Sequence, residues 1–513
     1  MSKQKTNFTL ALGLKILLLA LVTAVLGFMA YVAFLGGEWL IGGVLTLIIV
    51  LANVIYSSNK LVPAKFLYPG MIFLALFVIV PVIYTLVMSG YNYKTGNEIS
   101  KDEAITQLYE IGLTQDESGT TYDMVLGEKD GKTAVLLTDQ VTREVFFGQD
   151  QQLTALTEGQ FAASPEGVAV EADGFERLSD QDAANAEAYL SDLKFPAPDG
   201  TIILAQGIDV AAKMIQAYKY DPAANTLTDS ISGTVYIDNG NGNFVDQADN
   251  EVILYPGWRQ LNPLQNYAAL LANPAIRGPF IGVFIWTFFF SIITVVMMFG
   301  LGLILAIALD KKMRGRNFYR GLLILPYAMP SFMSILIWAG MFNRDHGAIN
   351  SLLGMEIPWL EDPILAKISI LIVNLWLGFP YFYLIATGAL QALPTDLEEA
   401  AAIDGATGAQ IFWRIKLPLI LQILSPLLIA SMAFNFNNFN LIYLLTRGGP
   451  TDVINGETAG ATDILITYAY KTAFAGTEQN LGLASAISVI IFLIVGLLSL
   501  WSLRRSKVLE IMQ

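Results

Sequence analysis

Eight stretches of this chain are apolar over the length a helix needs to cross about 30 Å of hydrocarbon, and that feature limits the fold more than any other. They lie near 14–35, 39–57, 67–90, 279–309, 321–342, 367–391, 418–445 and 480–503. Inside lipid a segment must satisfy its own backbone N–H and C=O groups, so runs of this length predict helices. Composition agrees, with 54% hydrophobic residues and 14% charged ones among 513. The fold class expected is a polytopic α-helical membrane protein of about eight transmembrane helices.

Charge divides the chain into differently composed parts. The net charge is −14, yet residues 91–275 alone hold 29 acidic and 10 basic residues, which leaves the remainder at +5. Basic residues mark alternate loops: Lys3 and Lys5; Lys60 and Lys65; Lys311, Lys312, Arg314, Arg316 and Arg320; Arg414 and Lys416; Arg504, Arg505 and Lys507. Under the positive-inside rule these loops and both termini face the cytoplasm. Eight spans make that arrangement self-consistent, and they put 91–275 outside. The first run is too long for a signal peptide, and no small-residue cleavage site separates it from the second. Three domains are expected: 1–90 with three spans, 91–275 outside the membrane, and 276–513 with five spans.

The external segment alternates β-like runs ("TAVLLT", "GTIILAQG", "GTVYID", "EVILYP") with Gly, Asp and Asn turns, so an inserted β-rich domain is expected. Two motif fragments inside it are weak. "GEKDGKT" (127–133) has one residue too few between its glycines for a phosphate loop and reads as a hairpin turn. "DNGNGNFVD" (238–246) places Gly240 and Gly242 where a calcium loop needs oxygen-bearing side chains, so an Asn-Gly turn is expected. The chain has no Cys and one histidine, His346. Thiol chemistry, cysteine-ligated metal and histidine clusters are therefore excluded, and neither metal nor cofactor is expected.

No span carries an ionisable residue at its centre. Ion-coupled carriers need such groups at depth, so ion coupling and a charged substrate are disfavoured. Neutral polarity takes their place in "ILPYAMPSFMS" (324–334), "VNLWLGFPYFY" (373–383) and "FNFNNFN" (434–440). At about 100° per residue, Asn374, Gly378 and Tyr381 fall within about 60° of one another, with Leu377 alongside. Tyr327 and Ser331 are one turn apart. Phe434, Asn435 and Asn438 share a sector, while Asn437 and Asn440 point elsewhere. Amides and hydroxyls serve sugar hydroxyls, and aromatic rings cover sugar C–H faces, so a neutral polar cavity at mid-membrane is one reading. Helix-to-helix bonding is the other, with Asn437 and Asn440 as its candidates.

The loop 392–418 separates the classes. Glu399-Ala400-Ala401, three residues, Gly405, nine residues, then Ile415-x-Leu417-Pro418 reproduces the EAA signature and resembles the coupling loop of ABC importer permeases. Physically it predicts a helix–turn–helix, with Thr395 or Asp396 as cap and Gly405 as breaker. "LLILPYAMPSF" and "LLTRGGPTD" are similar to the carbohydrate-importer group. The layout and "AFNFNNFNLI" resemble its maltose/maltodextrin branch.

That resemblance implies a type I importer permease fold in an inner membrane, with 91–275 in the periplasm. It implies a substrate site at Tyr327, Ser331, Asn374, Leu377, Gly378, Tyr381, Phe434, Asn435 and Asn438. Glu399, Ala400, Ala401, Asp404 and Gly405 would meet the ATPase. The implied partners are a second permease, a pair of ATPase subunits, a periplasmic maltose-binding protein and the bilayer, with no nucleic acid and no enzymatic activity in this chain. Another neutral oligosaccharide, such as trehalose, remains an alternative substrate. A membrane receptor with an external sensing domain is an alternative class, and it leaves the coupling loop unexplained.

Overall fold

A computed structural model describes residues 10–115, 119–185, 193–197, 201–310, 313–451, 459–476 and 478–505. Of the residues singled out above, Lys3, Lys5, Lys311, Lys312, Asp452 and Lys507 lie outside the described ones. The chain forms two compact units, residues 1–87 and 88–513.

The first unit is a set of long apolar helices: α1 (Leu10–Leu35), α2 (Trp39–Ser57) and α3 (Val62–Met88). Polar side chains tie them together where lipid could not satisfy them. Asn53 Nδ2 donates to Thr23 Oγ1 at 3.0 Å, and the Tyr68 hydroxyl donates to the Ile48 carbonyl at 2.5 Å. Most of the remaining surface is exposed Leu, Ile, Val and Phe, as suits a hydrocarbon surround.

In the second unit the inserted region begins with α4 (Lys101–Ile111), capped by Ser100 and Glu103 in a reciprocal capping box. Its main antiparallel sheet contains β1 (Leu113–Gln115), β2 (Thr121–Lys129), β3 (Lys132–Asp139), β4 (Val145–Gln149), β5 (Gln152–Leu156), β6 (Lys194–Pro196), β7 (Ile202–Ala205) and β8 (Val210–Gln216). The order is β6-β7-β8-β2-β3-β4-β5, with β1 also pairing β8. Period-two alternation explains why β3 is buried from Ala134 to Asp139. Val135 and Leu137 enter one core with Tyr122, Met124 and Leu126, while Ala134 and Leu136 enter another with Val145 and Phe175. A four-strand meander follows: β9 (Tyr218–Asp221), β10 (Thr226–Asp229), β11 (Val235–Asp238) and β12 (Phe244–Asp246).

Both weak motifs resolve as structure. Lys129 pairs with Lys132 across Asp130 and Gly131, both at positive φ, so "GEKDGKT" is the β2–β3 hairpin. In "DNGNGNFVD" the cation is a lysine. Lys101 Nζ sits 2.7 Å from Asp238 Oδ2 and 2.6 Å from Asn225 Oδ1, over the Trp258 ring at 4.6 Å.

The spans of this unit are α5 (Pro274–Ala308), the pair α6 (Arg316–Ala328) and α7 (Ser331–Met341), α8 (Pro363–Gln391), α10 (Gly408–Phe436) and α13 (Leu481–Arg505). Between α8 and α10 lies the short α9 (Thr395–Ile403). Two further helices, α11 (Phe439–Leu445) and α12 (Leu465–Phe474), precede α13. Seven helices among the described residues are long and apolar enough to span, or eight if the bent pair counts as one. The expected class, a multi-spanning helical membrane protein with a β-rich insertion, is the class the structure has.

Two glycines bring α5 and α8 together. A Cβ on Gly302 would meet the Phe382 backbone at 2.7 Å, and one on Gly378 would collide with Met298. The base of the inserted region is stitched to the start of α13. Thr95 N–H donates to the Gln479 carbonyl at 2.9 Å, and Gly482 N–H to the Tyr93 carbonyl at 3.0 Å.

Two expected spans are not continuous. The run 321–342 is bent by 92° at Met329–Pro330, which puts Tyr327 and Ser331 on different helices and not on one face. Pro330 cannot continue a helix and disfavours helical backbone at Met329. The run 418–445 breaks after Phe436.

Candidate functional site

"FNFNNFN" is where one helix stops and another starts. α10 ends at Phe436, Asn437 leaves helical geometry at φ −113°, ψ 23°, and Asn438 caps α11 with its Oδ1 accepting from Leu441 N–H at 3.4 Å. Asparagine suits this place because its side chain supplies the partner that a helix terminus lacks. Within a membrane such a break needs partners close by. The neighbouring α8 provides one.

Asn374 is 3% exposed and Asn435 1% exposed. Asn374 Nδ2 donates to Asn435 Oδ1 at 2.7 Å and lies 3.5 Å from Thr294 Oγ1 of α5. Asn438 Nδ2 reaches Asn374 Oδ1 at 3.5 Å, and Asn435 Nδ2 donates to the Ser431 carbonyl at 2.8 Å. Three spans and α11 therefore meet at one amide cluster. This reverses the expected division of labour among the asparagines. Asn437 and Asn440 are exposed, and the Asn437 side chain donates to the Ala433 carbonyl of the helix it ends, at 3.4 Å. The helix-to-helix bonds run through Asn374 and Asn435.

The other expected site residues lie on several different elements. Gly378 packs on Met298, Leu377 lies against the core that contains Trp286 and Phe290, and Tyr381 stacks edgewise on Phe382 with centroids 5.3 Å apart. Tyr327 is 58% exposed and Phe434 69% exposed, and Ser331 begins α7 with its surface open. Hydrogen bonds join Asn374, Asn435 and Asn438; the remaining six are presented from α6, α7, α8 and α10. Sequence reasoning missed Thr294. The hydroxyl stripe Thr287, Ser291 and Thr294 at helical spacing on α5, all buried, was the signal available. It also missed α12, whose first amide, Leu465 N–H, is held by Thr287 Oγ1 at 3.0 Å. Just before α12, Asp463 is 1% exposed and binds Gly460 N–H, Thr467 Oγ1 and Lys471 Nζ, the last at 2.6 Å.

The loop at 392–418 is the expected helix–turn–helix. α9 ends at Ile403 and is followed by Gly405, whose φ of +81° is the left-handed value that favours glycine, and Thr407 opens the next helix in a capping box with Gln410. The cap of α9 differs from expectation. Pro394 occupies the N-cap, and Thr395 is already the first helical residue, because Pro394 fixes its own φ near −62° and lets the helix begin one residue earlier. Glu399, Ala400, Asp404 and Gly405 are exposed and Ala401 is half-buried. Glu398 is tied back to Lys416 at 2.6 Å. Ile403 stands 86% exposed on the same loop, an apolar side chain that the described residues leave uncovered.

A family model described as "Binding-protein-dependent transport system inner membrane component" matches residues 298–506, which include the amide cluster and the loop. A second, "N-terminal of TM subunit in PBP-dependent ABC transporters", matches residues 72–151. The chain is 37% identical over 503 residues to the maltose/maltodextrin transport system permease protein MalF of Vibrio vulnificus, with 96% of this chain and 94% of that one covered. To the protein of the same name from Escherichia coli K12 it is 35% identical over 518 residues, with 96% and 97% covered. Among solved structures, a bacterial ABC transporter involved in the import of the acidic polysaccharide alginate contains a chain 19% identical, at a TM-score of 0.40, with 47% of this chain and 82% of that chain covered.

Proposed function

This chain belongs to the MalF family of binding-protein-dependent transport permeases, and from that premise we propose that it forms half of a membrane pore importing maltose and maltodextrins. It is a transport subunit and not an enzyme. The second half is a MalG-like permease, and a pair of MalK-like ATPase subunits powers the cycle. The bilayer is a bacterial inner membrane with both termini cytoplasmic. Residues 1–90 are an accessory set of spans, and 91–275 form a periplasmic domain that receives a maltose-binding protein. Residues 276–513 are the translocating core.

The observation that carries the proposal is an uncharged polar cluster at a helix break, with an exposed acidic loop on the same unit. Asn438, Tyr327, Ser331, Phe434 and Tyr381 offer hydroxyls, an amide and rings to the sugar. Asn374 and Asn435 hold Asn438 in orientation and exchange their mutual bond for sugar hydroxyls as the spans move. Leu377 and Gly378 shape the wall. A neutral saccharide needs donors and acceptors without fixed charge, and a site of this kind leaves no ion to desolvate. Glu399, Ala400, Ala401, Asp404 and Gly405 dock on the ATPase, so closure of that subunit rocks α8 and α10, the two spans that flank the loop.

Reconstitution with the partner subunits tests this. In lipid vesicles, maltose-loaded binding protein is expected to stimulate both ATP hydrolysis and labelled maltose uptake. Asn438→Ala is expected to lose mainly uptake, and Glu399→Lys the coupling. Hydrolysis that no loaded binding protein stimulates would sink the importer reading.

A further inference from the structure

The helix break leads into a strip of aromatic rings that core packing does not account for. On α11, Leu441, Ile442 and Leu445 are buried, which leaves Phe439, Asn440 and Tyr443 on the opposite side. Phe439 and Tyr443 are four residues apart, and their rings stack with centroids 5.0 Å apart and planes 16° from parallel. On α12, Leu465, Tyr468, Ala469 and Ala473 are buried, and Tyr470 and Phe474 face outward, again four apart, with centroids separated by 5.5 Å. Tyr470 joins the two rows at 5.1 Å from Phe439 and 5.3 Å from Tyr443. Phe474 is 59% exposed, the other three are partly open, and Asn440 beside them is exposed.

The strip starts at Asn438, which caps α11, so it continues directly from the amide cluster. Its own side chains, two Phe, two Tyr and one Asn, carry no fixed charge; the charge nearest along α12, Lys471, is matched by Asp463 at 2.6 Å, and the exposed Arg447 lies past the end of α11. An ionic ligand would find no counter-charge on it. A lipid chain would gain from the rings and leave Asn440 unsatisfied. A pyranose uses both, with C–H faces on the rings and hydroxyls on the amide and the tyrosine oxygens.

We propose that Phe439, Tyr443, Tyr470 and Phe474, with Asn440, form a second saccharide subsite. It holds the glucosyl units of a longer oligosaccharide that extend beyond the asparagine cluster. This rests on the transport reading above and adds to it a basis for chain-length preference.

Because the chain has no cysteine, Asn440→Cys introduces a single thiol. The assembled complex in vesicles is treated with a maleimide, and modification of this chain is followed with maltose, with maltoheptaose and without sugar. The expected result is a reactive thiol that maltoheptaose slows about fivefold more than maltose does. A thiol equally reactive under all three conditions overturns the subsite. So does one unreactive throughout, since the second permease then covers the strip. A second variant, Tyr443→Ala/Phe474→Ala, is expected to lower the ratio of maltoheptaose to maltose uptake by about fivefold or more, since each of the two lost ring contacts is worth about 1 kcal/mol; an unchanged ratio overturns the proposal. Wild-type maltose uptake separates the two failures. If it is absent, the transport reading falls and the subsite with it; if it is present without protection, the subsite alone falls.

Discussion

The bond between Asn374 and Asn435 makes a quantitative claim about how three spans are held together. At 2.7 Å, between side chains 3% and 1% exposed, each amide is the other's principal partner. Asn435→Ala leaves the buried Asn374 amide with Thr294 Oγ1 at 3.5 Å, a poor substitute. An unsatisfied buried polar group costs about 1–3 kcal/mol in water-soluble proteins. Between membrane helices the mean is about 0.6 and the maximum about 1.7 kcal/mol, because the separated helices find other partners. Each single alanine substitution should therefore cost about 1–2 kcal/mol. In the double substitution neither amide is stranded, so its cost should fall about 1 kcal/mol short of the sum. The assay is unfolding of the purified chain in mixed micelles against increasing denaturing detergent, for the wild type, Asn374→Ala, Asn435→Ala and the double variant. Distant sites add to within about 0.5 kcal/mol. A double variant whose loss equals the sum within that margin would refute the pairing, and with it the view that these two amides orient Asn438.

Four further outcomes follow from the structure. Gly378→Leu drives a side chain into Met298 at the α5–α8 crossing and should cost about 1–3 kcal/mol, with partial recovery in Gly378→Leu/Met298→Ala, read by the same unfolding titration. Gly405→Val forces a β-branched residue to φ +81° and should destabilise the loop by about 1–2 kcal/mol; ATP hydrolysis by the assembled complex should then respond less to loaded binding protein while the ATPase subunits still associate. Ile403→Glu should weaken retention of the ATPase subunits during affinity purification, since it charges a side chain 86% exposed on the loop proposed to dock on them. Burial raises the Asp238 carboxyl, but bonds from Lys101, Asn225 and the Gly240 N–H, with the Lys101 charge, outweigh it and hold it below the usual carboxylate range. Its contribution is present above the unfolded value near pH 4 and is lost as pH falls through the depressed folded value. Lys101→Met should therefore destabilise the inserted region by about 1–2 kcal/mol at pH 7 and by progressively less as the pH falls below about 4, followed by Trp258 fluorescence.

Span existence was legible because it depends on summed hydrophobicity, a property of twenty residues at once. Pro330 and Asn437 were legible too, but as chemistry without geometry. A hydropathy window sees "ILPYAMPSFMS" as one apolar run, while the backbone sees a proline that ends the hydrogen-bond ladder and a 92° turn. The helical projection of 434–440 grouped Phe434, Asn435 and Asn438 by assuming an unbroken helix. The asparagines meet because the helix breaks, since capping lets Asn438 turn back toward α8. The helix–turn–helix of the 392–418 loop was legible at Gly405, where local turn chemistry sets the break, whereas the Pro394 cap and the Thr407–Gln410 box were not. Tyr443 and Tyr470 could not be paired in advance. They are 27 positions apart, and only the packing of α11 beside α12 brings their rings to 5.3 Å.

The polar residues of these spans fall into two kinds, and burial separates them. Asn374 and Asn435 are enclosed and bonded to each other, with Asn435 also donating to the Ser431 carbonyl, so much of their cost in hydrocarbon is met and they fix helix positions. Tyr327, Ser331, Phe434 and Asn440 are open, at or beside the two breaks. An open amide or hydroxyl in a bilayer is stable only against water, substrate or a second protein. The breaks supply the geometry for this, because a continuous helix would leave no terminus for Asn438 to cap and no bend for Tyr327 and Ser331 to flank. A chain whose task was only to cross the membrane would gain from replacing these residues with leucine. The two discontinuities, each bordered by open neutral polar groups and rings, are what a passage for an uncharged, hydroxyl-rich solute requires.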